Sequence, residues 1–229
     1  MKNFNDYNEK IFSSEFKKTD IYRKLSKDFD VVSLKKFYWN NLQETRATPR
    51  QSIGDSHTEF SAVPFYYLNF LLDRNPQQIY DLGCGWNIFK KYIPNIIGVG
   101  AEPPGSKFYH ADIHDFVDND YVQYHQDYFE SVFSINALHF CPLTEFEKIV
   151  TNFYSMIKPQ GRGFLALNVQ RMLLEQTAPM LNNRSSSSLD TFCRSELSKL
   201  SYIKFLVVDI DFTILDEGMD GNIRLVMEK

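Results

Sequence analysis

The stretch Gln77-Gln78-Ile79-Tyr80-Asp81-Leu82-Gly83-Cys84-Gly85-Trp86-Asn87 decides the fold, because in it an apolar strand runs into a glycine-bearing turn. Asn75-Pro76 just before it breaks a helical pattern, and Ile79-Tyr80-Asp81-Leu82 reads as the short strand that follows. Glycines at 83 and 85 permit a tight turn and a close backbone approach, and N–H groups at the start of a helix suit a polar or anionic group. Asp81, at the strand end, can accept hydrogen bonds from a cationic amine. A lone G-x-G says little, but a G-x-G after a strand and beside an acid marks a binding turn.

Upstream, residues 61–74 (SAVPFYYLNFLLDR) place apolar side chains at helical spacing, so a helix feeds the strand. Downstream, strands are predicted in 95–100 (NIIGVG), 107–113 (KFYHADI), 131–138 (SVFSINAL) and 161–168 (GRGFLALN), with a helix in 144–157 between the last two. This alternation predicts parallel crossovers. The polar run 182–188 (NNRSSSS) reads as a loop and 189–200 as a helix, while 202–212 and 222–229 read as two antiparallel strands around the turn-rich 216–221 (DEGMDG). That makes seven strands, six after the first. No internal repeat is present.

The first sixty or so residues are different in character. Helical spacing in 21–29 and 33–43 predicts two or three short helices, and the apolar-poor run 43–57 (QETRATPRQSIGDSH) predicts a loop. The chain therefore divides into an N-terminal segment, 1–57, and a main α/β domain, 58–229.

Composition narrows the functional classes. With 229 residues, 43% of them hydrophobic, and 20 Phe and 13 Tyr, the chain fills one main core and can line a pocket. A net charge of −4 argues against a surface that coats nucleic acid, which needs Lys and Arg to neutralise phosphates. Cys84, Cys141 and Cys193 are far apart and form no CxxC, so neither a disulfide framework nor a zinc site is predicted, and no metal is expected. The absence of a signal-like start or a long apolar run predicts a soluble, cytoplasmic protein without a membrane span.

Asp81-Leu82-Gly83-Cys84-Gly85 resembles the first motif of class I, Rossmann-like S-adenosylmethionine-dependent methyltransferases. Further segments resemble that family's motifs in the same order: Ile96–Glu102 the second-strand motif, His110–Phe116 the adenine-contacting motif, Tyr128–Phe140 the fourth-strand motif and Met156–Asn168 the turn into the fifth strand. The likeness covers about Gln77 to Asn168, and the C-terminal strand pair agrees with it. It implies a seven-stranded, mostly parallel sheet with an antiparallel last strand, S-adenosylmethionine as cofactor, and methyl transfer.

By that resemblance Asp81, Gly83, Cys84, Gly85, Trp86 and Asn87 surround the methionine end of the cofactor. Asp112 accepts from the adenine amine, the Ile113 backbone meets the ring edge, and Ser134, Ile135 and Asn136 lie beside the sulfonium. The chain departs from the family at Asn87, where a third glycine is usual, and at Gly100, where an acid usually grips the ribose. Glu102 lies 19 residues after Gly83, near the ~20 typical of a ribose-binding acid, and is the replacement. His139, in Asn136–Phe140, is the candidate general base, since imidazole titrates near neutrality.

The N-terminal helices then read as a lid that binds a small-molecule acceptor. Two other functions stay open: a cofactor-binding protein with lost or altered catalysis, and a nicotinamide-dependent oxidoreductase. Tyr154 and Lys158 match the Y-x-x-x-K of short-chain dehydrogenases, but Lys158 precedes Pro159, where a helix should already have ended. The nicotinamide fingerprint would also require glycine at Ile88.

Overall fold

The computed structural model describes residues 18–20, 23, 63–84, 88–99, 120–138, 143–168, 186–215 and 218–229. The first long element is helix α1, Val63–Leu72, with Pro64 in its first turn, where a missing N–H costs nothing. It stops as Asn75 turns left-handed at φ 50, and Pro76 follows. An Asn-Pro pair ends helices this way because Asn tolerates that conformation and Pro cannot continue the helix.

From there the chain runs through β1 (Ile79–Leu82), a four-residue 3-10 helix (Ile88–Lys91), β2 (Ile96–Val99), α2 (Asp120–Tyr124) and β3 (Phe129–Ile135). It continues through α3 (Phe146–Met156), β4 (Ile157–Asn168), α4 (Ser186–Lys199), β5 (Lys204–Leu215) and β6 (Gly218–Glu228). The six strands form one sheet in the order β2-β1-β3-β4-β6-β5. Strands β2, β1, β3 and β4 are parallel, and β6 runs antiparallel to both β4 and β5. The predicted strand in 107–113, which would be the seventh, lies outside the described residues, as does the predicted N-terminal lid apart from 18–20 and 23.

Each sheet face carries its own core. On one, α1 contributes Phe65, Tyr67, Leu68 and Leu71 against Ile79, Phe133, Phe164 and Val226. The rings interlock edge to face, with Phe65–Phe89 centroids 5.3 Å apart and Phe89–Phe133 5.7 Å apart. On the other face, Phe146, Ile149, Val150 and Phe153 follow the i, i+3, i+4, i+7 spacing of an amphipathic helix, and Leu189, Cys193 and Leu197 repeat every fourth residue along α4. Strand β4 sits between the two cores, so Phe164, Leu165, Ala166 and Leu167 are all buried and apolar, as a two-sided parallel strand requires.

Of the boundaries that differ from the sequence reading, two have a clear physical reason. Helix α4 begins at Ser186, so Ser186, Ser187 and Ser188 form its first turn instead of a loop; serine favours helix starts as much as loops. In the C-terminal hairpin Leu215 pairs with Gly218, so only Asp216 and Glu217 intervene and Gly218–Gly221 extend β6. Pairing along the whole of β5 overrides the turn propensity of those glycines.

At the amino end of the sheet, Glu228 gathers three cations: Arg74 at 2.8 Å, Arg162 at 2.8 Å and Lys204 at 2.5 Å. This ties the end of α1 to β4, β5 and β6. Arg162 also donates to the Phe70 carbonyl at 2.7 Å, satisfying one of the orphan groups at the helix end.

Candidate functional site

The connectivity reverses direction between β1 and β3: from β1 the chain moves outward to β2, then returns to the opposite side of β1 as β3. In open α/β sheets the crevice outside the carboxyl ends of the strands at such a switch point is where ligands bind. Asp81, Gly83, Cys84, Ser134, Ile135 and Asn136 are brought together there, on the neighbouring ends of β1 and β3.

Strand alternation sends Asp81 to the same face as Ile79, toward α1. The residue is 2% exposed, and its Oδ2 has no hydrogen-bond partner among the described residues. Burial pushes the carboxyl well above the usual carboxylate range. No pair of described residues supplies a cation to it.

Gly83 follows at φ 80, a left-handed conformation that glycine adopts without strain. Its N–H donates to the Val99 carbonyl at 2.7 Å, and the Cys84 N–H donates to the same oxygen at 3.2 Å. These two bonds hold the turn against the end of β2. The Cys84 thiol is buried and pushed up to about 12, by burial first and by the neighbouring Asp81 second, so it stays protonated and unreactive.

On the β3 side the Ser134 hydroxyl, fully buried, donates to the Leu82 carbonyl at 2.8 Å. Ile135 is half-buried, and Asn136 is exposed in a left-handed conformation at φ 53. The Asn136 N–H donates to the Ala166 carbonyl at 2.9 Å, which fixes the chain as it leaves β3. Gly85, Trp86, Asn87, Gly100, Glu102, Asp112, Ile113 and His139 lie outside the described residues.

The sequence reading passed over a polar group on the α1 face of the hairpin. Tyr67 donates its phenol hydrogen to Asp209 Oδ2, and Arg224 Nη1 lies 3.4 Å from the same oxygen. Burial, ahead of the charges around it, holds the Tyr67 phenol far above its ordinary range, so it remains a donor. The register Ile135–Ala166–Arg224–Asp209 places this pair on the strand row where β3 reaches the site. The signal available in the sequence was Asp209-Ile210-Asp211, two acids at alternate positions in an otherwise apolar strand.

Lys158 stands in β4, beyond the end of α3, with its amine 3.3 Å from Glu130. It does not share a helix face with Tyr154, which stacks under Lys229 at 5.1 Å. The dehydrogenase arrangement is therefore absent. Among the described residues no group of His, Cys, Asp and Glu could hold a metal ion, and no helix is long and apolar enough to cross a membrane.

The strand order, the switch point and the antiparallel C-terminal hairpin make the described sheet an open, Rossmann-like α/β sheet. No protein-family model and no curated protein matches the sequence. Among solved structures, the chain is similar to a SAM-dependent methyltransferase from Archaeoglobus fulgidus, with 12% identity over 83% of this chain and 100% of that one and a TM-score of 0.43. It is also similar to the N-methyltransferase NodS from Bradyrhizobium japonicum in complex with S-adenosyl-L-homocysteine, with 11% identity over 84% of this chain and 99% of that one and a TM-score of 0.43. A third is the 1,6-didemethyltoxoflavin-N1-methyltransferase of Burkholderia thailandensis, with 12% identity over 71% of this chain and 76% of that one and a TM-score of 0.40.

Proposed function

We propose that this protein is an S-adenosylmethionine-dependent methyltransferase acting on a small-molecule acceptor. The observation that carries the reading is Asp81: a buried carboxyl with a partnerless oxygen, at the end of β1 beside the switch point. Such an oxygen fits an ammonium group, because a charge-assisted hydrogen bond offsets the cost of burying the carboxylate. S-adenosylmethionine carries an ammonium at its amino-acid end and supplies, when bound, an electrophilic methyl group at its sulfonium.

In this reading Asp81 accepts from the ammonium, and Gly83, Cys84, Gly85, Trp86 and Asn87 form the turn around it. Glu102 accepts from the ribose hydroxyls, Asp112 from the adenine amine, and the Ile113 backbone pairs with the ring edge. Ser134, Ile135 and Asn136 wall the side where the acceptor approaches. His139 takes a proton from acceptors that must lose one. Residues 1–57 cover the acceptor and keep water out, so that positioning supplies much of the rate.

Calorimetry with S-adenosylmethionine, S-adenosylhomocysteine and the nicotinamide dinucleotides tests the cofactor; the first two should bind and the last should not. Absence of binding by both sulfur ligands at about 1 mM, where a Kd corresponds to roughly −4 kcal/mol, would overturn the reading. Mass spectrometry of a metabolite pool incubated with protein and cofactor then tests transfer, a product heavier by one methyl group being the expected outcome. Tight binding with no product from any pool would favour a protein that binds the cofactor without turning it over.

A further inference from the structure

The most unusual group in the described structure is again Asp81, and its surroundings bear on its charge as well as its role. The turn beside it offers the Cys84 thiol, and β2, Ile96–Val99, carries no titratable side chain at all. From β3 the face toward Asp81 carries Ser131 and Phe133, while Glu130 is exposed to solvent. The 3-10 helix presents buried Phe89 and exposed Lys90. Helix α1 has two phenols, and that of Tyr67 is committed to Asp209. The Ser134 hydroxyl is committed to the Leu82 carbonyl.

Among the described residues, an ionised carboxylate here would have an apolar setting, an unsatisfied oxygen and no cation beside it, an arrangement proteins avoid by leaving the group neutral. We propose that Asp81 carries its proton in the ligand-free protein and releases it to solvent when the ammonium group of the cofactor binds. The proton leaves the carboxyl oxygen, the ligand's positive charge takes its place beside the resulting carboxylate, and the net charge of the buried pair stays zero. The inference rests on the reading of this site as one for an ammonium-bearing ligand. The direction in which burial shifts the carboxyl agrees with it. Cofactor affinity is thereby coupled to pH through a residue that takes no part in methyl transfer.

The test uses the full-length protein and S-adenosylhomocysteine, titrated calorimetrically in buffers of different ionisation enthalpy between about pH 5 and about pH 7.5, a range in which the ligand amine stays charged. The expected result is the release of about one proton per ligand at the acid end, with affinity rising about tenfold per pH unit until Asp81 ionises unaided. In Asp81→Asn, whose side chain cannot ionise, binding should be weaker and the proton release should vanish. Binding to the wild type with heats independent of the buffer and a Kd independent of pH would overturn the inference while leaving the proposed function standing. Proton release that persists in Asp81→Asn would overturn it too, by assigning the proton to another group. Absence of binding at every pH would overturn the proposed function, and this inference with it.

Discussion

The hydroxyl of Ser134 donates to the carbonyl of Leu82 at 2.8 Å, joining the carboxyl ends of β3 and β1 where the sheet changes direction. The bond is buried and spans 52 residues of sequence, so it sets the separation of the two strand ends that frame the site. Ser134→Ala should cost about 1–2 kcal/mol in urea unfolding, the usual loss for a buried hydrogen bond. It should also weaken S-adenosylhomocysteine in calorimetry, because the strand ends are free to part. Unchanged stability would show that the bond does not hold them.

Gly83, at φ 80, lies two residues after Asp81, in the turn. A Cβ in the left-handed region costs roughly 1–2 kcal/mol, so Gly83→Ala should lower stability by that amount. Because strain there displaces the N–H groups held by Val99, cofactor affinity should fall as well. Asn136→Gly, at φ 53, should be tolerated, and thermal melting of the two variants side by side makes the comparison.

Asp209 receives both Tyr67 and Arg224 in the interior. Tyr67→Phe removes one donor while the ring keeps its stacking on Phe164, centroids 5.1 Å apart, and should cost about 1–2 kcal/mol. Arg224→Met breaks a buried ion pair and should cost more, about 3–5 kcal/mol. A double-mutant cycle by denaturant unfolding should show the two to be strongly coupled, since they share one oxygen.

The Glu228 carboxyl is pulled down to about 2, by Lys204 first, then Arg162 and Arg74. A folded value below the unfolded one means that the unfolded chain binds more protons, so this contribution is complete above the ordinary carboxylate range and disappears as pH falls through about 2. Glu228→Gln should therefore melt lower than wild type at neutral pH, with a deficit of about 1 kcal/mol, the upper end for ion pairs whose cations reach solvent. The two melting temperatures should converge in acid.

Asp81 has the opposite sign. Its folded carboxyl titrates above the unfolded one, so its contribution is present below the ordinary carboxylate range and is lost as pH rises through the folded value. Asp81→Asn, which cannot ionise, should gain stability relative to wild type as pH rises. Melting curves in which the difference stays constant with pH would contradict this.

The sequence by itself determined what depends on local chemistry. Asn75-Pro76 ended α1, the apolar run Ile79–Leu82 made β1, the four-residue apolar spacing of Phe146–Phe153 oriented α3, and Pro159 kept Lys158 out of a helix. Strand-turn order then placed Asp81 and Ser134 at one end of one sheet, because parallel strands joined by helices all finish on the same side. Only the tertiary structure decided which polar groups were already spent. Val99 takes the N–H groups of Gly83 and Cys84, Leu82 takes the Ser134 hydroxyl, and Asp209 takes Tyr67 across 142 residues, while Asp81 Oδ2 is left without a partner among the described residues. Those outcomes follow from which strands lie side by side and how deeply each side chain is buried, quantities that no residue's sequence neighbours contain.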